Sequence, residues 1–490
     1  MLSLVIFLPL AAAAVFALPR TGRAAGAVWI AAAAADLALA VALWATYPGG
    51  IGHETRLRWI PTVSAGYHIG VDGLSLPLIA MTCVLFLCCA VYSARGPVSR
   101  SYAALFLFLQ TVSVGLFAAL DLLLFFVFFD LSIVGMYFVI AGWGHGDRAR
   151  SALMFFLYTF LGSLVLLLGF IGLYVGGRTF DIADLARVPP FADRPGAAAV
   201  VLLAVGVGLA VKTPAVPLHT WLPPAHTDAP AAGSAVLAGV LLKMGAYGFA
   251  RIAMPLLPGA WQRYAWVIIC VGLAGVLYGA LVALAQDDVK RLIAYTSVNH
   301  MGYILLALGA AGLAAPSAPR TLAVSGAVTQ MVSHGLLTGA LFLVAGVLWD
   351  RARTYDARRL GGVAATAPRL TALAALAAFG SLGLPGLSGF IAEFQIFAGV
   401  IGTGLPAAVV AGALGVTGIL ITAALFLRVL HRVFLGPPGE AGVNPDTRWP
   451  ETAAIAPLLA LSVLIGLAPR WLLDLIEPVS AAIVSLVGRP

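Results

Sequence analysis

The segment GVGLAVKTPAVPLHTWLPPA (residues 206–225) places one lysine, Lys212, and four prolines inside an otherwise apolar run. Proline removes a backbone donor and clashes with the preceding turn of a helix, so a helix is expected to break here. In lipid, such a break persists only where protein or water satisfies the freed backbone groups. The segment therefore predicts a broken membrane helix with polar surroundings.

A second apolar run, GSLGLPGLSGFIAE (380–393), is interrupted by Pro385 and four glycines and ends at Glu393. Paired Gly/Pro-broken helices in two halves of a chain are typical of transport sites between inverted repeats. One proline alone more often marks a simple kink, but two breaks that each carry an ionisable residue favour a transport site. No strong internal sequence identity accompanies them, so the repeat is a structural hypothesis.

The chain around these segments is strongly apolar: of its 490 residues 61% are hydrophobic and 10% are charged, and the mean hydropathy is +1.02. Soluble domains carry about 25% charged residues. Apolar runs of about 20 residues recur from end to end, and each is long enough to cross roughly 30 Å of hydrocarbon as a helix. The sequence thus predicts an all-α polytopic membrane protein with fourteen spans, at residues 2–18, 26–47, 74–94, 101–119, 121–141, 151–176, 197–222, 229–253, 262–284, 290–310, 320–349, 370–399, 406–434 and 452–469.

The two ends of the chain carry separate signals. The first run lacks an early basic region and is followed at once by further spans, so we interpret it as a retained helix and not as a signal peptide. The tail 470–490 is amphipathic and is expected to lie along the membrane surface. With both termini on one side, one face collects 16 Lys and Arg residues, Lys290 among them, and the other collects 10. The positive-inside rule then places the termini outside, in a bacterial inner membrane.

Several classes of function are disfavoured. Cys83, Cys88, Cys89 and Cys270 lie in apolar spans without C-x-x-C spacing, which argues against a metal centre or iron–sulfur cluster. Neither a Walker A loop nor a Rossmann glycine motif is present, so we expect no nucleotide or other cofactor in this chain. The basic residues are dispersed through short loops, so the net charge of +8 does not indicate a nucleic-acid partner.

Ionisable residues within the predicted spans are the candidate site. Such residues are rare in lipid and usually face a partner or a wet cavity. A buried lysine paired with a movable carboxylate has two settings, since it is protonated when paired and tends to release its proton when unpaired. The candidates are Asp130, Lys212, Lys243, His300, His334 and Glu393, with His219 near the end of its broken helix.

Their spacing indicates how they are used. Lys212 lies two residues before Pro214, where unwound carbonyls can solvate an ammonium, and Lys243 lies among small residues that allow close helix approach. His300 and His334 can bridge the gap to Glu393 through water, although a packing role for either histidine is an equal alternative. For Asp36, a lipid-exposed or locally paired residue is favoured over a relay role.

Four motifs carry a family resemblance: VKTPAVPLHTWLPPAHTDAPAAGSAVLAGVLLKMGAYGFARI (211–252), DDVKRLIAYTSVNHMGYILLAL (287–308), SHGLLTGALFLVAGVLWDR (333–351) and GLSGFIAEFQIF (386–397). They resemble the antiporter-like, proton-pumping membrane subunits of respiratory complex I, an NADH–quinone oxidoreductase. Glu393 points to the M-type chain, because related L-type and N-type chains look more like lysine there.

The resemblance implies fourteen helices with two inverted five-helix repeats, at 96–255 and 256–436, between N-terminal helices (1–95) and a last helix with its tail (437–490). It also implies roles: Lys212 receives and passes the proton, Lys243 links two half-channels, and Glu393 lies near the outward exit. His219, His300 and His334 match polar residues of the central hydrated axis. FMN, iron–sulfur clusters and quinone are expected in partner subunits, with neighbouring antiporter-like chains as direct partners.

One position departs from the family, which usually has glutamate where this chain has Asp130. The shorter arm implies a longer, water-bridged or differently timed pair with Lys212. Three alternative functions stay open: a subunit of a multisubunit sodium/proton antiporter, a coupling subunit of a hydrogenase-like or carbon-uptake complex, and a scaffold without conduction. Glu393 argues against the first, and the number of buried charges argues against the last.

Overall fold

A computed structural model describes residues 1–16 and 24–488, and most of them are helical. Twelve of the described helices are long and apolar enough to cross a membrane. The predicted class, a polytopic helical membrane protein, is therefore confirmed. The count of fourteen spans stays a prediction, because two predicted spans are represented by shorter apolar helices, Leu2–Val15 and Ser388–Gly402.

The first half of the chain holds nine α-helices and a hairpin among its described residues. They are α1 (Leu2–Val15), α2 (Ala25–Ala45), β1 (Gly52–Ile60), β2 (Ala65–Val71), α3 (Leu76–Ser93), α4 (Arg100–Ala118), α5 (Leu122–Trp143), α6 (Arg148–Gly177), α7 (Ile182–Arg187), α8 (Pro195–Lys212) and α9 (Leu222–Asp228).

The second half continues with helices only, within the described residues. They are α10 (Ala231–Leu256), α11 (Pro258–Arg263), α12 (Ala265–Leu284), α13 (Val289–Ala310), α14 (Ser317–Ala352), α15 (Val363–Thr366), α16 (Pro368–Ser381), α17 (Ser388–Gly402), α18 (Pro406–Leu435), α19 (Trp449–Leu467) and α20 (Arg470–Val487).

Both predicted helix breaks are present. The chain leaves α8 after Lys212 and becomes helical again at Leu222, and the indole of Trp221 donates to the carbonyl of Val211 at 3.0 Å. The second break separates α16 from α17. There the amide of Ser388 donates to Ser462 Oγ at 3.3 Å, so a side chain of α19 satisfies a group that the break frees. Side chains thus take over the role of the missing helical hydrogen bonds.

Local sequence explains where several helices begin. Asp121 caps α5 by accepting from the amides of Leu123 and Leu124, and Asp288 caps α13 by accepting from the amide of Arg291. A side-chain oxygen at the N-cap satisfies amides that have no partner inside the helix.

The antiparallel hairpin β1–β2 is not predicted by the sequence analysis, which leaves 48–73 unassigned. Its strands pair from Gly52 with Val71 to Ile60 with Ala65. One buried histidine, His68, joins it to the helical bundle: its Nδ1 lies 2.6 Å from Asp181 Oδ2 and its Nε2 lies 2.8 Å from Glu54 Oε1. The hairpin is therefore attached to the loop before α7 by a charged cluster.

We expect the attachment of this hairpin to depend on pH. Burial lowers the pKa of His68, but the carboxylates of Asp181 and Glu54 outweigh it and hold that pKa above its ordinary value. A raised histidine pKa adds stability that is complete below the unfolded value, about 6.5, and is lost as the pH rises through the folded value. Hydrogen exchange of the β1 and β2 amides in the assembled complex should therefore accelerate on raising the pH above neutrality, after correction for intrinsic rates.

Each unit by which Asp181 and Glu54 raise the pKa of His68 corresponds to about a tenfold change in the equilibrium between the attached and the detached hairpin. His68→Gln should remove the pH dependence, whereas His53→Gln, which changes the histidine of β1 on the other strand, should keep it. If hydrogen exchange in His68→Gln depends on pH as strongly as in the wild type, another group controls the attachment of the hairpin.

Charged side chains lie in two layers at opposite ends of the helices. On one face, buried Glu451 accepts from Arg95 at 2.8 Å and from Arg351 at 2.6 Å. On the other face, Arg56 contacts Asp184 at 2.8 Å. The predicted sidedness of Arg20, Arg23 and Arg489 lies outside the described residues.

One residue of the predicted charge layers differs from most of the others in its burial. Lys290, which we assigned to a loop face, is fully buried at the start of α13. Its ammonium donates to the carbonyls of Thr227, at 3.3 Å, and Ala229. All three lysines of the chain, Lys212, Lys243 and Lys290, are therefore buried.

The C-terminal helix α20 is amphipathic, as predicted. It buries one stripe that includes Leu472, Ile476 and Ile483. A Cβ built on Gly73 would lie 1.8 Å from the carbonyl oxygen of Leu475, so only glycine allows this close backbone approach. The helix thus packs across the end of the bundle that also carries the hairpin, and its position along a membrane surface stays a prediction.

Candidate functional site

Lys243 lies at the centre of α10 and is fully buried. The helix widens into an i→i+5 turn at Leu237–Leu241, a feature frequent at functional sites. The Lys243 ammonium donates to the carbonyl of Ala238 at 2.5 Å and contacts His334 Nδ1 at 2.5 Å. One polar partner comes from its own helix and the other from α14.

Close approach of α10 and α14 makes this contact possible. A Cβ on Gly335 would lie 2.9 Å from the carbonyl oxygen of Gly239, and a Cβ on Gly239 would lie 3.2 Å from the carbonyl oxygen of Gly335. Small residues at such positions let helices pack backbone to backbone in lipid. The predicted close approach at Lys243 is therefore present.

From His334 the polar residues continue to Glu393. The rings of His334 and His300 lie edge to face with centroids 5.2 Å apart. His300 Nδ1 is 2.9 Å from Gln330 Nε2 and 3.9 Å from Glu393 Oε1. The structure thus brings Lys243, His334, His300 and Glu393 into one buried series that crosses α10, α14, α13 and α17.

The second helix break receives the Glu393 carboxylate. A Cβ on Gly383 would lie 2.3 Å from Glu393 Oε2, and Gly383 has φ +78°, a conformation that side chains disfavour. The glycine-rich break predicted from sequence therefore provides the space for the carboxylate of α17.

Lys212 ends α8 and is buried, as predicted, but its partner differs from the expected one. Its ammonium donates to Ser132 Oγ at 2.9 Å and lies 5.1 Å from the ring of Phe129. Asp130 interacts with Lys212 electrostatically, yet its Oδ1 has no hydrogen-bond partner among the described residues. Ser132, two residues further along α5, binds the ammonium in place of the expected carboxylate.

His219 lies in the break after α8. Its ring is edge-on to Tyr278 at 5.1 Å and to Tyr295 at 6.3 Å, and its Nδ1 has no partner among the described residues. His219 therefore packs against α12 and α13.

Asp36 is fully buried on α2, so the lipid-exposed alternative is wrong and local pairing is confirmed. Gln110 Nε2 donates to its Oδ2 at 2.6 Å, and the thiol of Cys83 donates to the same oxygen at 3.4 Å. These contacts link α2, α3 and α4, apart from the series that contains Lys243.

His226 and Lys290 are buried titratable residues that the sequence analysis did not count among the candidates. His226 is fully buried in α9, stacks on Phe342 at 4.6 Å, and has no described partner at either ring nitrogen. Lys290 is the other, and its ammonium lies 5.2 Å from the ring of Tyr355. His226 lies in the quoted motif 211–252, between Pro224 and Pro230. Its position beside two helix-breaking residues was a usable signal in the sequence.

Within residues 1–16 and 24–488, no three His, Cys, Asp or Glu side chains are grouped so that they would hold a metal ion. The site is instead a row of proton-exchanging side chains inside an apolar bundle. Lysine, histidine and carboxylates accept and release protons, whereas arginine does not. Such a row is suited to moving protons.

Comparison with known proteins gives consistent likenesses. Residues 119–422 match the family described as NADH:quinone oxidoreductase/Mrp antiporter, TM. NADH-quinone oxidoreductase subunit M of Rhodobacter capsulatus is 37% identical, over 99% of this chain and 96% of its own length. F(420)H(2) dehydrogenase subunit M of Methanosarcina mazei is 36% identical, over 99% and 98%. A chain of respiratory complex I from Thermus thermophilus with bound NADH superposes with a TM-score of 0.90, at 30% identity, over 100% of both chains.

Proposed function

The chain belongs to the NADH:quinone oxidoreductase/Mrp antiporter family of membrane subunits, and from this premise we propose that it is the M-type, proton-translocating subunit of a complex I membrane arm. The observation that carries the proposal is the buried series from Lys243 through His334 and His300 to Glu393. Each member exchanges protons, and consecutive members are in contact or separated by the space of about one water.

The chemistry follows from burial and charge. A proton on Lys243 is stabilised by the carbonyl of Ala238 and by the lone pair of His334 Nδ1. Neutral histidine accepts on one ring nitrogen and donates from the other, so a proton received from Lys243 is released toward His300. Glu393 is the terminal acceptor of this series and faces the break between α16 and α17.

Lys212 holds the proton before it enters the series that begins at Lys243. Its charge is balanced by Asp130 from a distance and its ammonium is held by Ser132. A shift of the Asp130 carboxylate toward or away from Lys212 changes how firmly the lysine holds its proton. His219 contributes to the polar axis on the side of α12 and α13.

The driving force comes from outside this chain. We assign the redox centres (FMN, iron–sulfur clusters and quinone) to partner subunits, so this chain works as the non-redox part of a translocating oxidoreductase. Its partners are other membrane-arm subunits, in particular neighbouring antiporter-like chains, and the lipid bilayer.

In a bacterial inner membrane, the face with more arginines lies in the cytoplasm and both termini lie outside. The proposed units are the N-terminal helices (1–95), two inverted repeats (96–255 and 256–436) and the last helix with its tail (437–490). Each repeat contains one broken helix, α8 followed by α9 in the first and α16 followed by α17 in the second.

Purification through a tag on this chain tests the assignment. We expect flavin-containing and iron–sulfur subunits to co-purify, and the reconstituted complex to acidify one side of the vesicle when NADH and quinone are supplied. Proton movement that needs a sodium gradient and no electron donor would instead support the antiporter alternative, against which Glu393 argues.

A further inference from the structure

The helix that carries Lys243 continues toward the face where α20 and the hairpin lie, and two polar residues follow at four-residue intervals. Tyr247 is one turn beyond Lys243 and Arg251 is two turns beyond it. Residues spaced by four lie along the same side of a helix. A route from Lys243 to that face along α10 therefore meets Tyr247 first and Arg251 next.

Arg251 is held by partners on both sides. Its Nη2 lies 2.5 Å from Asp72 Oδ1, and its Nε donates to the Tyr247 hydroxyl at 3.0 Å. The side chains of Arg251 and Asp72 are only 11% and 8% exposed. The guanidinium is thus a fixed, largely desolvated positive charge close to the outer end of α10.

Asp72 is equally fixed, at the start of α3. Its Oδ1 also accepts from the amides of Leu74 and Ser75, at 3.0 and 3.1 Å. Burial raises the pKa of Asp72, but the guanidinium of Arg251 and these amides outweigh it and hold that pKa below its ordinary value. The carboxylate therefore stays ionised and does not carry protons.

The hydrogen bonds around Tyr247 run in one direction. Arg251 donates to the Tyr247 hydroxyl, and that hydroxyl donates its proton to the carbonyl of Phe117 at 2.9 Å. A proton wire needs groups that both accept and release protons along the route. Arginine does not release its proton, and the hydroxyl proton of Tyr247 is directed at a backbone carbonyl.

A cavity lies beside the ion pair on the side away from Lys243. Its volume is about 540 Å³, and its lining includes Asp72, Arg251, Tyr47, Arg187 and Asp474. Helix α20 covers part of this cavity. The arginine thus stands between an outer cavity and the buried lysine.

We propose that Arg251 is an electrostatic barrier that closes the α10 end of the protein toward the outer face, so that a proton on Lys243 leaves only toward Glu393. A fixed positive charge in a low-dielectric passage repels hydronium, as arginines do in pores that exclude protons. The inference rests on the proposed function and adds a positioning role: without the barrier, outer protons flow back to Lys243 and the gradient is lost.

The test is passive proton leak through the assembled complex in proteoliposomes, measured without an electron donor after an imposed pH difference and membrane potential. We expect Arg251→Gln to raise the leak about tenfold above wild type, and Arg251→Lys, which keeps a charge, to raise it much less. Arg187→Gln neutralises an exposed arginine of the same cavity and should leave the leak unchanged.

A second variant separates the effect of the Arg251 charge from the effect of disrupting the local structure around the ion pair. Asp72→Asn breaks the ion pair but leaves the guanidinium in place. The passive proton leak should therefore stay at the wild-type level. A leak in Asp72→Asn as large as that expected for Arg251→Gln would overturn the barrier, and so would an unchanged leak in an assembled Arg251→Gln complex. Either result leaves NADH-driven pumping by the wild-type complex, and with it the proposed function, untouched.

Discussion

Lys243→Ala is expected to abolish proton translocation by this subunit. The variant removes the ammonium that contacts His334 and leaves the series toward Glu393 without its central donor. Removing a positioned acid–base group slows proton transfer by about 10²-fold or more, which makes the path too slow to matter. The measurement is protons translocated per electron in the assembled, reconstituted complex, together with the rate of NADH oxidation.

Two further variants show whether protonation is the relevant property. Lys243→Arg keeps the positive charge and much of the volume but cannot release a proton, so it should fail as Lys243→Ala does. Asp36→Asn changes a buried carboxylate that lies apart from the series and should keep the full proton ratio. An undiminished ratio of protons to electrons in Lys243→Ala would remove Lys243 from the path.

The broken helices were predictable because proline and glycine act locally. Pro214 and Pro217 end α8, and the glycines around Pro385 open α16 from α17, whatever the rest of the chain does. The mid-span lysines and histidines were equally visible, since ionisable residues in apolar runs are rare. What the sequence could not supply is the order of contacts, because His334, His300 and Glu393 meet only through the packing of α13, α14 and α17.

Other features depend on distant parts of the chain. Lys290 sits among Asp287, Asp288 and Arg291 and so resembles a surface residue, but the carbonyls of α9 and of the turn after it, about 60 residues earlier, bury its ammonium. The hairpin was missed because its strands are short and too polar to be a span, and its anchor His68 finds Asp181 only in the folded protein. Both errors concern polar groups whose partners are remote in sequence.

Asp130→Asn is expected to have the other large effect, because Asp130 supplies the negative charge that balances Lys212. In the structure the ammonium is bound by Ser132 and the Asp130 Oδ1 is unpartnered, so the pair is in its separated setting. Without the carboxylate, Lys212 cannot form the paired setting, in which an opposite charge stabilises its ammonium. We expect proton transfer through the subunit to fall by about 10²-fold, the range for a lost acid–base partner.

The length of the side chain provides the control. Asp130→Glu adds one methylene, which brings the carboxylate closer to Lys212 and should preserve translocation while strengthening the paired setting. Ser132→Ala removes the competing acceptor and should likewise favour the pair. If Asp130→Asn keeps the wild-type ratio of protons to electrons, the charge balance at Lys212 is structural. If Asp130→Glu fails as Asp130→Asn does, the shorter arm is itself required, because a lysine held too firmly does not pass its proton on.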